Sequence, residues 1–594
     1  MRPKISDHTT FPEILLRLKA VWEENEGKCR DSAKEITRQL RTFAEEGVHS
    51  RKDDKDREDL ELELLEDAFT HFKKRFDHKN GGFASAPKFP TAVNLRFLLN
   101  LSHWPETVKD IVGEDECREA QEMSLQTLRS MSRGGIHDQI GRGFCRYSVT
   151  KDWSLPHFEK MLYDQAQLLD VYLDAFLLDQ NQEMFQVVQD IADYLVSPPI
   201  IAPGGGFFSS EDADSLPSNN AIEKREGAFY VWSYRDFCEV LGSDDGKTLA
   251  EFYGVKPNGN VDPHNDPHGE LKGQNVLKMS GTVVALSKEL RVSEQTAAGI
   301  IESGREKLRE HRDARRPRPD LDDKIVVCWN GLAISALART GSALLHHEPN
   351  AASKYLDAAL SAAKFIKAEL FDKEERKLFR VYRGGRADTV GMCEDYAFLI
   401  QGLIDLYEAT FDDEHLHFAD DLQKIQLDCF WDRDGGGAFF TAGSPHPPDI
   451  LLRLKNGMDA AEPSSNSVSA RNLWRLSGLL EDETYAKMAR NTLLAFEAEL
   501  EQFPFTFANM LFSVAIGRIG LKNIVLSGDI SEHEKILREI RARVRPNTTI
   551  VALDGSKGSW LRGRNPLLKH LRYDTPQVMV CKDHACQVGI QHVW

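Results

Sequence analysis

Apolar residues recur at helical spacing along most of this 594-residue chain, in stretches of about ten to twenty residues separated by short glycine-rich segments. The pattern predicts helices over Leu62 to Phe76, Cys117 to Met131, Phe158 to Leu178, Gln182 to Val196, Val327 to Leu345 and Ala351 to Leu370. Asp395 to Thr410, Leu416 to Phe430, Ala460 to Leu480 and Thr484 to Leu500 continue the series. Helix following helix, with no strand between, is the rhythm of a mainly α toroid rather than of a βαβ sheet. A loose repeat punctuates it: Gly81-Gly82-Phe83, Gly134-Gly135-Ile136, Gly205-Gly206-Phe207 and Gly436-Gly437-Ala438-Phe439. Each glycine pair is expected to stop a helix in the left-handed region and let the next segment form a short hairpin.

Both ends break this rhythm. Residues 11 to 46 read as an amphipathic helical pair, with Ile14, Leu15, Leu18 and Val21 on one apolar stripe and Ile36, Leu40 and Phe43 on the next. The charged stretch Ser50 to Asp59 can bury nothing and reads as a flexible linker. Near the other end, Asn523 to Ser527, Thr548 to Leu553 and Gln577 to Cys581 read as short buried strands around a helix from Ile530 to Val544. The expected organisation is a helical segment over 1–49, a linker over 50–59, a toroid over 60–520 and a small α/β region over 521–594.

A chain that is 41% hydrophobic and 28% charged can bury a large core. The net charge of -18 opposes nucleic acid as a partner, and the basic run Arg312 to Arg318 reads as a solvated loop. No apolar run approaches bilayer length, which excludes a membrane partner, and the first residues lack a secretory pattern. Nine scattered cysteines without a C-x-x-C favour a reducing compartment, so a soluble, cytoplasmic protein is expected. Phosphate-loop, dinucleotide, zincin and nucleophile-elbow motifs are all missing, and no cofactor is assigned. Cys581, His584 and Cys586 match no common metal site and read as free side chains, so no metal is assigned.

Polar residues cluster where the predicted helices begin. His137, Arg146, Tyr147 and Trp153 lead into the run Pro156 to Asp164. On a helix starting near Pro156, His157, Lys160 and Asp164 would share a face, and the helix dipole would favour a neutral His157. Glu159 lies within the same run, and Glu211, Asp212 and Asp214 follow the third glycine pair. Crowded carboxylates ionise at different pH, which is how one site obtains both a general acid and a general base. Trp329, Asn330, Glu394, Asp395, Arg453 and Asn466 mark later helix starts, and Trp232 joins Tyr147, Trp153 and Trp329 as a surface for stacking a sugar ring. Taken singly, each aromatic is more often core, each glycine more often turn geometry, and the acidic loop as readily hydrated surface.

The runs GGFASAPKFP (81–90), GGIHDQIGRGFCRYSVTKDWSLPHFEKMLYDQAQL (134–168), GGGFFSSEDADS (204–215), EGAFYVW (226–232) and CWNGLAISALA (328–338) resemble the spermatogenesis-associated protein 20 family. The resemblance runs from about residue 11 to the C-terminus. It implies an (α/α)6 toroid of the six-hairpin glycosidase and N-acylglucosamine 2-epimerase type, preceded in fuller members by a thioredoxin-like domain. Residues 11–46 resemble only the last helical part of that domain, as in a shorter isoform or a truncated gene model, and thiol exchange is not expected without a C-x-x-C. The resemblance also implies a carbohydrate-related annotation and a role in sperm development.

Two functions compete. One is an enzyme on a sugar-like small molecule. Glycoside hydrolysis would pair Asp212 or Asp214 with Glu159 or Asp164, whereas epimerisation or isomerisation would use His157 and His137 with Arg146 or Arg453 holding an oxyanion. The other is a non-catalytic binding or scaffold protein in germ-cell differentiation, a fold retained without its chemistry.

Overall fold

The computed structural model describes residues 10–49, 59–83, 85–446, 450–553, 559–571, 575–582 and 585–589. Helix α1 (Phe11–His49) is broken at Asn25, where the backbone leaves the helical region. Twelve helices then build the body: α2 (Glu63–Arg75), α3 (Ala92–Asn100), α4 (Glu114–Arg133), α5 (Leu162–Asp179), α6 (Gln182–Leu195), α7 (Val327–Leu344), α8 (Pro349–Glu369), α9 (Cys393–Thr410), α10 (Asp413–Phe430), α11 (Ser465–Leu480), α12 (Glu483–Leu494) and α13 (Ala508–Ile519).

The alternate helices α3, α5, α7, α9, α11 and α13 pack each on the next, and α13 packs on α3 to close a ring. The remaining six lie outside, α4, α6, α8, α10 and α12 each against the inner helix before it and α2 against α13. This is the (α/α)6 toroid. Burial follows the layers: almost every residue of α7 and α9 is buried, while α4 and α6 bury one stripe each. The short α3 and the all-round apolar α13 carry no strong amphipathic period, which leaves them out of the predicted series.

The inner ring is tightest where α7 meets α9. A Cβ built on Gly331 would lie 2.4 Å from the carbonyl carbon of Phe398, and one on Gly402 would lie 2.7 Å from the Gly331 oxygen. Both obstacles are backbone and cannot turn aside. Gly331→Ala is therefore expected to destabilise the fold by about 1–3 kcal/mol, read as a lower urea midpoint at unchanged slope.

The connections decide which end of the ring carries chemistry. From inner to outer helix the chain turns in two residues at Gln180–Asn181, Phe411–Asp412 and Glu481–Asp482. The first residue of each pair is left-handed, and the second caps the next helix with its side chain. From outer to inner helix the chain needs long segments, and all of these lie at the N-terminal end of the inner ring. The loop before α7 is the longest and holds four further helices, Tyr234–Leu241, Ser243–Phe252, Val283–Leu290 and Glu294–Arg315, around their own core of Trp232, Phe237, Leu249, Tyr253 and Leu308.

That insertion overturns the solvated reading of Arg312 to Arg318. Arg312 ends a helical face, is buried and donates to Asp138 at 3.0 and 3.1 Å; Arg316 donates to the carbonyls of Phe229 and Val231; Arg318 clasps Glu211 at 2.6 and 3.2 Å. The run is basic because it ties the insertion to acidic and carbonyl groups of the loop below it.

Four strands beyond the ring form a sheet in the order Thr548–Leu553, Lys522–Ser527, Gln577–Lys582, Ala585–Val588, with only the first pair parallel. Cys581 and Cys586 face each other across an antiparallel pair and are joined in a disulfide, so they are not the free thiols expected from spacing; His584 lies outside the described residues. Among the described residues no helix is long and apolar enough to cross a membrane.

Candidate active site at the N-termini of the inner helices

Three of the inner helices open with the same device. The Gln165 side chain, in the first turn of α5, accepts from the Phe144 N–H and donates back to the Phe144 carbonyl. Asn330 does the same to Phe207 and Asn466 to Phe439, and each amide donates once more to a nearby carbonyl. The aromatic that follows each glycine turn is thus locked by its backbone while its ring enters the core. Gly205, Gly206, Gly436 and Gly437 have positive φ as expected, but Gly134 and Gly135 do not. In that repeat the left-handed pair is Arg142-Gly143, directly before Phe144. Asn330 and Asn466 are accordingly structural clamps, not substrate ligands, because both ends of each amide are spent on backbone.

The locked loops bring short hairpins to one mouth. Tyr147–Ser148 pairs with Pro156–His157, Lys160–Met161 with Ser210–Glu211, and Asp214–Ser215 with Arg225–Glu226. His157 consequently sits on a strand, not in the first turn of a helix: α5 begins only at Leu162. Its Nδ1 lies 2.7 Å from Glu226 Oε1, and its Nε2 lies 3.9 Å from Glu159. The hydrogen bond to Glu226, aided by the charge of Glu159, raises the His157 pKa despite burial, the reverse of the dipole argument. A raised folded-state value means that the pair stabilises the fold fully below the ordinary imidazole pKa of about 6.5, a contribution lost as pH rises through the folded value. Glu226→Gln should lower the midpoint of the His157 ring signals in an NMR titration; an unmoved midpoint would refute the pairing.

Around His157 the wall is aromatic and acidic. Tyr147 stacks on its ring at 5.0 Å and the exposed Phe89 covers Tyr147 at 4.9 Å. Arg146 donates to Glu159 at 3.0 Å and reaches the Tyr163 hydroxyl. Asp214, across its hairpin from Glu226, has its pKa raised by partial burial and by Asp212, Glu226 and Glu270, and it feels the charge of His157. Asp212 remains exposed beside Lys224, 3.6 Å away.

Deeper in, Asp164 Oδ2 is sealed from solvent and has no hydrogen-bond partner among the described residues. Burial raises the Asp164 pKa well above the carboxylate range, Glu462 and Glu159 push it further, and Arg146 opposes. Glu462, with its own Oε1 buried and unpartnered, is pushed up to about 7 by burial and by Glu394, against Arg380 and Trp329. Trp329 packs on Tyr163 at 5.3 Å, and Glu394 is held by Arg380 at 2.8 Å. The mouth therefore places carboxyl groups that favour their protonated form beside a hydrogen-bonded imidazole–carboxylate pair.

Several residues expected here serve the scaffold instead. Lys160 lies on the next short strand, Lys160–Met161, and is buried, bonding Asp138 and the Arg142 carbonyl at 2.8 and 2.7 Å. His137 spends Nδ1 on the Ser132 carbonyl and Nε2 on Asp190, which Arg305 also holds. Glu211 is buried between Arg318 and Tyr194. Asp395 accepts from the N–H groups of Cys328 and Met392 and from Arg380, and burial raises it to about 6. Trp153 and Trp232 are fully buried, the first donating to the Asn80 carbonyl and the second lying under Arg316. Arg453 braces the loop after α10 through the carbonyls of Cys429 and Ala442. The common reason is charge and bulk matched by partners distant in sequence, which spacing does not reveal. Spacing also left Glu226, Tyr163, Arg380 and Phe89 unassigned, although the first two stand inside the runs EGAFYVW and PHFEKMLYD.

Fold and site together define an (α/α)6 toroid with an acidic, histidine-bearing mouth. The chain belongs to the spermatogenesis-associated protein 20 family: it is 35% identical to the human protein of that name over 601 residues, covering 98% of this chain and 74% of the human one. The rat protein matches to the same extent, and an uncharacterized protein of Caenorhabditis elegans is 34% identical over 98% of this chain and 78% of its own. No family model matches. Among solved structures the chain is similar to a glycoside hydrolase family 76 mannosidase from Bacteroides thetaiotaomicron, at a TM-score of 0.38 and 10% identity over 72% of this chain and 84% of that one. It is also similar to a sugar epimerase from a ruminal bacterium, at a TM-score of 0.28 and 12% identity over 74% and 99% of the two chains.

Proposed function

We propose that the mouth performs acid–base chemistry on a sugar-like small molecule, with glycoside hydrolysis as the reaction its carboxyl groups suit best. The observation that carries this reading is the unpartnered, buried Oδ2 of Asp164 beside Glu462, Glu159 and Arg146. A carboxyl kept protonated at neutral pH can give its proton to a leaving oxygen, while an ionised neighbour activates water or attacks. Glu159, fixed by Arg146 at 3.0 Å, is the neighbour placed for that second role. Asp214, His157 and Glu226 hold ring hydroxyls, and the Phe89–Tyr147 pair and Trp329 offer the apolar faces that a pyranose needs. Epimerisation by two histidines loses support, because both His137 nitrogens are engaged elsewhere.

The test is a calorimetric and hydrolytic screen of sugars, glycosides and sugar phosphates. Binding that His157→Ala and Asp214→Asn each weaken supports the proposal; a panel without such a ligand defeats it. As Glu462 loses its proton near 7, the added negative charge beside Asp164 makes that carboxyl a weaker proton donor, so turnover of a hydrolysed glycoside should fall as pH rises through that value. The second reading, a scaffold in germ-cell differentiation, draws on the family name and on α1, whose Phe11, Leu16 and Leu18 are more than half exposed. Partner capture that is lost with α1 and indifferent to Asp214→Asn would favour it.

A further inference from the structure

The other end of the ring holds a second polar chamber. The C-terminal halves of α5, α7, α9 and α11 and the segment 541–550 enclose a cavity of about 90 Å³. That is room for about three waters or one tetrahedral anion. Leaving aside Arg543 at its exposed rim, its arginines are Arg96, Arg339, Arg471 and Arg475 from the inner helices and Arg541 and Arg545 from the C-terminal region.

The carboxylates nearby all lie in ion pairs, although Glu408 Oε1 is itself buried without a hydrogen bond among the described residues. Arg96 holds Asp170 at 2.7 Å and Asp174 at 3.3 Å, and Arg339 closes the same pair. Arg475 takes Asp405 at 2.8 Å and Glu408 at 3.2 Å. Six guanidinium groups thus face four carboxylates, and Arg471, Arg541 and Arg545 have no ion pair among the described residues. Arg541 donates through Nη2 to the carbonyls of Glu408 and Ala409, but its Nε is buried without an acceptor. Arg471 Nε and Arg545 Nε and Nη1 are likewise buried and unpartnered among the described residues.

Four unmet donors on three cations around one cavity define a missing acceptor. We propose that this chamber is a binding site for a divalent tetrahedral oxyanion, either inorganic phosphate or the phosphate group of a small ester, gripped by Arg471, Arg541 and Arg545. Two surplus positive charges match a dianion, where a carboxylate would neutralise only one. Guanidinium forks suit the several oxygens of phosphate. Burial, together with repulsion from Arg96, Arg475 and Arg339, draws Arg471 down to about 9, and burial with repulsion from Arg545 draws Arg541 down to about 10; both stay charged at neutral pH, and a bound dianion would relieve the repulsion each one feels. The C-terminal region supplies half of the grip, so occupancy also fastens it to the ring. The inference stands apart from the chemistry proposed at the mouth, which lies at the opposite ends of the same helices.

Thermal unfolding and calorimetry of the whole chain test it, with sodium phosphate, a hexose phosphate and the unphosphorylated hexose compared at ionic strength matched by chloride. Phosphate or the hexose phosphate should raise the melting temperature where chloride and hexose do not, and Arg471→Met and Arg545→Met should each weaken binding at least tenfold. Tighter binding of the ester marks an ester site, and equal or weaker binding a site for the free anion; both support the chamber. Arg471→Met removes an unpaired buried charge, so without phosphate this variant should melt no lower than the parent, which separates lost binding from lost folding. Asp164→Asn should leave phosphate binding unchanged. No response beyond chloride, or equal binding by parent and arginine variants, overturns the inference.

Discussion

Asp164→Asn is expected to reduce turnover of the accepted sugar by about a hundredfold or more while the melting temperature holds or rises. Asparagine keeps the shape and loses the transferable proton. The stability half of the expectation comes from the same burial that makes Asp164 a candidate acid: one carboxylate oxygen is sealed without a partner, so ionising it costs free energy that an amide does not. Loss of activity together with unfolding would point instead to a structural Asp164, and full activity would remove it from the chemistry. The substitution can be read even before a turnover assay exists, because a ligand hydrogen-bonded to a neutral carboxyl should bind the asparagine variant within a few-fold of the parent. A ligand bound through a carboxylate would lose much more.

The opposite profile is expected at Lys160. Lys160→Met should destabilise the fold by about 3–5 kcal/mol and leave ligand affinity in the folded fraction untouched. The buried Asp138 is held ionised, far below the usual carboxylate range, by Arg312 and Lys160 together, and its remaining oxygen contacts are the N–H groups of Ile140 and Gly141. Without the ammonium group, Arg312 alone would face a carboxylate in a water-excluded core, and the Arg142 carbonyl would lose its donor. Denaturant unfolding followed by tryptophan fluorescence measures the first effect, and calorimetry at low temperature the second. A variant that stays stable but no longer binds would return Lys160 to the site.

How far the site could be read from the chain depended on the kind of signal each residue carries. His157, Glu159 and Asp164 stand in one dense polar run and could be named together, but their roles could not. A helix start at Pro156 put His157 against a dipole; the actual strand put it against Glu226, 69 residues away, and reversed its proton affinity. The glycine repeat was legible as a turn, whereas its registration in the second copy was not, since Arg142-Gly143 rather than Gly134-Gly135 occupies the left-handed position. Asn330 and Asn466 look like binding-site amides because they open helices, yet the Phe207 and Phe439 backbones they clamp lie 123 and 27 residues earlier.

What the sequence determined by itself was the material of the ring: helical periods, the glycine turns, and a family membership carried by unbroken motifs. These are local properties, set by backbone preference and by which face of each helix is apolar. Tertiary structure alone decided which charges are spent and which remain available. Ring closure brings Asp164, Glu462 and Arg146 to one end and gathers Arg471, Arg541 and Arg545 at the other, and whether a buried charge serves the scaffold or waits for a ligand depends on partners that no local pattern specifies.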